Sequence, residues 1–169
     1  DGCYHGHADT LLVEAGELQA DLDRATSRIA EAANNGATIA LLPEAMDLGW
    51  TDPSARDLAF EIPGGKTCLA LRKAARDNGI YVCAGIIEKE GDKLYNAAVI
   101  IDPSGSVILQ HRKINELDIA HDLYTLGDRL NVVPTPIGTL GLYICADATA
   151  PGNALSNSLG LLGADIILS

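Results

Sequence analysis

Short runs in which almost every residue is apolar recur along this chain, at residues 38–42, 80–87, 97–101 and 140–144. A strand that is apolar on both faces must be covered on both faces, which an isolated antiparallel ribbon cannot provide. Helical patterning lies between the runs. Leu18, Leu22, Ala25, Ile29 and Ala32 form one stripe at helical spacing, with Asp21, Asp23, Arg24, Arg28 and Glu31 on the other side. The spacing predicts a helix over 17–34, ended by Asn35-Gly36, and a second over 66–77, ended by Asn78-Gly79. Asp102-Pro103-Ser104-Gly105 is turn chemistry and joins the strands at 97–101 and 107–110 as a hairpin. Residues 47–63 and 114–134 read as loops, with a turn at Gly127-Asp128. A last helix is expected over 153–162 and a last strand over 164–168. Strands alternating with helices predict an α/β fold: a mixed sheet with helices on its outer faces, in a single domain over residues 1–169.

Three of the expected strands lead into residues that can do chemistry: Thr-Ile-Ala-Leu-Leu-Pro into Glu44, Val-Ile-Leu-Gln-His-Arg into Lys113, and Leu-Gly-Leu-Tyr-Ile into Cys145. Ligands of α/β sheets sit beyond the carboxyl ends of strands. Were these strands neighbours, a carboxylate, an ammonium and a thiol would meet at one rim. A thiol attacks as the thiolate, and a carboxylate can take its proton and later activate water. An ammonium and a backbone N–H can hold the resulting oxyanion. Taken singly, each residue also has a plainer reading: a solvated glutamate, a surface lysine, a packed cysteine.

The net charge of −11 argues against nucleic acid or an anionic membrane as partner. No apolar run is long enough to span a bilayer, and the first residues lack the pattern of a signal peptide, so a cytoplasmic protein is expected. Cys68 and Cys83 lie in apolar stretches and read as small buried hydrophobes. Cys3, His5 and His7 could ligate a metal but have no distant partners, so an irregular tail is expected there.

Three segments together resemble the nitrilase superfamily of carbon–nitrogen hydrolases. They are Leu-Leu-Pro-Glu44-Ala-Met-Asp-Leu-Gly-Trp; Tyr95-Asn-Ala-Ala-Val-Ile-Ile-Asp-Pro-Ser-Gly continuing to His111-Arg-Lys113; and Thr135-Pro-Ile-Gly-Thr-Leu-Gly-Leu-Tyr-Ile-Cys145-Ala-Asp147. They occur in the family's order and at compatible separations. The resemblance implies a four-layer αββα sandwich, incomplete in this chain. It also implies hydrolysis of a non-peptide C–N bond of a small-molecule substrate through a cysteine thioester. Glu44 would be the base, Cys145 the nucleophile, and Lys113 with the N–H of Ala146 the oxyanion donors. No metal or organic cofactor is implied. Many members carry a second glutamate shortly before the Gly-Asp turn. Ala120, His121 and Asp122 stand near there, and Glu116 is the candidate to substitute for it, or else a solvated loop charge. Ala-Asp after the nucleophile, where nitrilases have Trp-Glu, favours amide or carbamoyl substrates over nitriles. The family's chains run on past this length, so a fragment, or an edge covered by another chain, is expected. A homo-oligomer is expected too. Thr10 to Glu14 reads as a remnant of the family's first strand. Acyl transfer from the thioester, or a silent binding and assembly module, are the alternative functions.

Overall fold

The computed structural model describes residues 10–169. Helix α1 spans Leu18–Asn34 and leads into strand β1, Ile39–Leu41. A short helix α2, Ala55–Leu58, interrupts the following loop, and helix α3 spans Lys66–Asn78. Strands β2 (Tyr81–Glu90), β3 (Lys93–Ile101) and β4 (Val107–Arg112) complete a four-stranded sheet in the order β1-β2-β3-β4. The β1–β2 pair is parallel and the other two pairs are antiparallel. A second sheet has the order β5-β6-β7, from Val132–Thr135, Gly138–Leu142 and Ile166–Leu168, with helix α4 at Ala154–Leu161 before its last strand.

Alternation along β2 and β3 sorts the core into two sides. Val82, Ala84, Val99 and Ile101 face helices α1 and α3, against Leu22, Ala25, Ile29, Leu71 and Ala75. Cys83, Ala98 and Ile100 face the second sheet, against Leu140, Leu142, Ile144 and Leu168. Leu159 of α4 is buried against the outer face of β6, where a Cβ on Gly141 would meet its Cδ2 at 3.3 Å. The layers therefore run helix, sheet, sheet, helix. This is why the strands are apolar on both faces.

Several expectations from the sequence are corrected. The strand over 80–87 continues to Glu90 and turns back at Gly91-Asp92 as a long hairpin. Its polar end was unreadable by hydropathy, because Glu88 is buried against Arg112 in a paired contact (2.7 Å to each Glu88 oxygen) and Arg112 also covers the Tyr95 ring. Residues 132–134 are not loop but most of β5, whose Pro134 is tolerated on an edge strand. The expected strand over 140–144 begins earlier and ends at Leu142. Residues 10–14 form no strand, although Leu11 and Val13 pack on the helix-side core. Cys3, His5 and His7 lie outside the described residues.

The presumed loop from residue 47 begins inside the core: Ala45, Met46, Asp47 and Leu48 are all fully buried. Asp47 accepts the Ile87 N–H at 3.1 Å, and burial pushes its carboxyl up to about 7. The unfolded chain ionises this group near pH 4. Between about pH 4 and 7 unfolding therefore releases a proton, so Asp47 makes the fold less stable as pH rises through that window. Asp47→Asn keeps an acceptor for Ile87. It is expected to be more stable than the parent at pH 8, the gap closing by pH 4, as read from paired urea unfolding curves. A parent more stable than the variant at pH 8 would refute this assignment.

Candidate active site

Glu44 and Lys113 do not come from neighbouring strands, the condition on which their meeting at one rim was argued. They follow β1 and β4, the two edges of one sheet, and Cys145 follows β6 of the other. Convergence is produced by the chain after β1, which crosses over β2. Met46 N–H donates to the Gly85 carbonyl (2.9 Å), and a Cβ on Gly85 would lie 2.5 Å from the Glu44 Cα. Only glycine permits that crossing. On the other side, Lys113 N–H donates to the Asn96 carbonyl of β3, and the loop after Lys113 returns so that Gly127 N–H donates to the Lys113 carbonyl, each at 2.8 Å. A Cβ on Gly127 would meet the Arg112 carbonyl at 2.0 Å, which explains the glycine of the Gly127-Asp128 turn.

The side chains meet in a closed ring. Lys113 Nζ contacts Glu44 Oε1 at 2.7 Å and Glu116 Oε1 at 2.9 Å. Asn96 Nδ2 donates to Glu44 Oε1 at 2.6 Å and to Glu116 Oε2 at 3.0 Å. Lys113 is only 2% exposed. Its burial alone would lower its pKa, but Glu44 and Glu116 outweigh that and hold it above the ordinary value. Its Nζ also lies 5.7 Å from the centre of the Trp50 ring. Glu116 is buried within this ring of contacts and is no solvated loop charge.

Cys145 opens a 3₁₀ turn, Cys145–Thr149, with φ of +42°, which non-glycine residues rarely adopt. The thiol is exposed and close enough to Glu44 and Lys113 for both charges to act on it. Burial of its surroundings first, then the Glu44 charge, raise its pKa; Lys113 and the Ala146 N–H pull it down. The balance favours the protonated thiol over the thiolate. With Glu44, Leu41, Leu142 and Ile144 it lines a cavity of about 250 Å³. Cys68 and Cys83 are buried, and burial pushes their thiols up to about 11 and about 12.

Asp147 ties the turn that Cys145 opens to the loop after Lys113. It is fully buried and accepts N–H groups from Ile114 (3.0 Å), Asn115 (2.7 Å) and Ile144 (3.1 Å). His111 Nε2 lies 2.8 Å from its other side and donates, since a carboxylate can only accept. Burial would raise the Asp147 carboxyl, yet His111 and the backbone donors hold it below the ordinary value. Asp147→Ala strands these donors and is expected to lower stability by about 3–5 kcal/mol in chemical denaturation. Asp147→Asn keeps one acceptor oxygen and should lose clearly less; equal losses would contradict the hydrogen-bond account. Asn96 was not singled out from the sequence, and Asp147 was noted there only as the residue after Ala146, not as a clamp. The available signal was a lone Asn inside an otherwise apolar buried strand, where Asn is disfavoured.

Two layered sheets between helices, with an exposed thiol at a strained turn beside a Glu–Lys–Glu cluster whose Lys113 and Glu116 are buried, define a thiol-centred α/β protein of the nitrilase type. The chain belongs to the carbon-nitrogen hydrolase family, whose signature matches residues 10–169. It is similar to a nitrilase of Pyrococcus abyssi, 36% identical over 155 residues, covering 89% of this chain and 58% of that protein. It is also similar to the omega-amidase NIT2 of Mus musculus, 35% identical, covering 81% of this chain and 53% of the relative. The chain thus spans little more than half the length of these relatives. Among solved structures the fold matches an amidase of Nesterenkonia sp. AN1 with a TM-score of 0.83 at 21% identity, covering 92% of this chain and 60% of that one. No described helix is long and apolar enough to cross a membrane.

Proposed function

We propose that this site hydrolyses a non-peptide carbon–nitrogen bond, in an amide or carbamoyl compound, through a thioester on Cys145. The observation that carries the reading is an exposed thiol held at positive φ within the field of both Glu44 and Lys113. Because the thiol is protonated at rest, attack needs a base. Glu44 takes the proton as sulfur bonds to the carbonyl carbon. The oxyanion is held by the Lys113 ammonium and the Ala146 N–H. Glu44 then returns the proton to the departing amine, leaving the acyl-thioester. Water, deprotonated by Glu44, attacks that thioester and releases the acid and the thiol. Glu116 keeps Lys113 charged and aimed, and the cavity of about 250 Å³ suits a small substrate.

In the same reading the protein is a cytoplasmic homo-oligomer with a small-molecule substrate and no nucleic-acid partner. Its net charge of −11 supports the last point. The test is acid quenching during turnover of small aliphatic amides, followed by peptide mass spectrometry. An acyl mass gain confined to the peptide bearing Cys145, with ammonia released, is expected. Ammonia release with no adduct on that peptide, or no release from any amide or carbamoyl compound tried, would overturn the proposal.

A further inference from the structure

We infer that Asn96 is a positioning residue that loads one oxygen of Glu44 with both donors and so reserves the other for the Cys145 proton. The inference rests on the function proposed above and adds to it a group outside the Glu–Lys–Cys set. Glu44 Oε1 receives both Asn96 Nδ2 and Lys113 Nζ, at 2.6 and 2.7 Å, whereas among the described residues Oε2 receives no N–H donor. An oxygen that already accepts two strong donors is the poorer base, so proton affinity is concentrated on Oε2. In the attack the S–H electron pair stays on sulfur to form the S–C bond, and the proton passes to Oε2.

Asn96 solves a second problem as well. Glu44 and Glu116 both face Lys113, so two carboxylates share one cation. The two hydrogens of the Asn96 amide go one to each carboxylate and offset the remaining negative charge without adding a second cation. The orientation of the amide follows from chemistry. Both neighbours can only accept, so the nitrogen must face them. Its oxygen is then left buried with no partner, and Asn96 Oδ1 is indeed unpartnered. A buried unpaired acceptor calls for a compensating role at the other end of the same group. Asn96 is well placed to hold such an orientation. It sits on β3, a central strand flanked by β2 and β4, and its own carbonyl accepts the Lys113 N–H.

The test does not need turnover. In protein labelled with carbon-13 at the glutamate carboxyls, Asn96→Leu is expected to move the carboxyl resonances of both Glu44 and Glu116 at one fixed neutral pH, since each carboxylate loses an N–H donor. A residue that merely fills space would lower the melting temperature and leave both resonances where they were; superimposed spectra would overturn the inference. Glu44→Gln provides a second arm should Asn96→Leu not fold. With both donors on one oxygen, the glutamine amide oxygen can satisfy them and turn its NH₂ to the Oε2 side. Its melting temperature is then expected to stay within about 2 °C of the parent. A fall of more than about 5 °C would mean that the donors are spread over both oxygens, and the inference would fail. Failure of these arms with a Cys145 acyl adduct still seen would remove Asn96 alone. Shifted resonances without any adduct would instead remove the hydrolytic reading.

Discussion

Cys145→Ala is expected to reduce amide hydrolysis by at least about 10³-fold while leaving the unfolding midpoint close to that of the parent. The two outcomes separate because of where the residue stands. Its side chain is exposed, so truncation opens no cavity in the core. What the position contributes to the fold is strain. At φ of +42° any side chain with a Cβ is unfavourable, and the surrounding turn persists because Asp147 clamps it from below. Cys145→Gly should therefore be equally inactive yet more stable than Cys145→Ala, by about 1 kcal/mol. Residual amide hydrolysis in either variant above about 1% of the parent would mean that the thiol is not the nucleophile. A glycine variant less stable than the alanine variant would remove the strain from the argument.

Lys113→Met should behave in the opposite way, losing fold and activity together. Methionine fills similar volume but leaves Glu44 and Glu116, held 2.7 and 2.9 Å from the lysine nitrogen, without their cation. Removing one partner of a buried ion pair costs about 3–5 kcal/mol, most of it the uncompensated charge left behind. The pH dependence carries a signature. Without the ammonium, two carboxylates face each other with no cation between them, and acid relieves that repulsion by protonating one of them. The deficit of Lys113→Met relative to the parent should thus be largest near neutrality and shrink towards pH 4. In the parent the sign belongs to the lysine. Its raised pKa gives stability that is present through neutral pH and lost only as pH climbs through its folded value in the alkaline range. Paired denaturant curves at pH 4.5 and 7.5 would decide it, a deficit independent of pH being the refuting result.

Much of this protein is written in local pattern. The stripe from Leu18 to Ala32 predicted α1, and Asn78-Gly79 predicted the end of α3, where Gly79 does adopt the left-handed conformation. Apolar runs predicted β1, β2 and β3, because a strand covered on both faces shows up as unbroken hydrophobicity. Glu44, Lys113 and Cys145 could be picked out because each is a reactive type at the end of an expected strand. The strand end leading to Gly91-Asp92 was illegible because Glu88 is buried by an ion pair with Arg112, 24 positions away, while Glu90 to Lys93 stand in solvent. Periodicity records which face of an element is covered and says nothing about a charge neutralised from far along the chain.

The site shows the same division more sharply. Residue types and strand ends were determined by the sequence alone; which strands neighbour one another was not. The three residues follow two opposite edges of one sheet and a strand of another, and they meet because the chain crosses β2 at Gly85. Asn96 meets Glu44 across 52 positions, and Asp147 meets His111 across 36. Glu116, ambiguous as a loop residue, becomes a buried partner of Lys113 only once that loop folds back under Gly127. Local pattern follows from the repeat of the backbone, 3.6 residues per helical turn and two per strand. Long-range partners follow from how sheets and loops stack, and only the tertiary structure decides that.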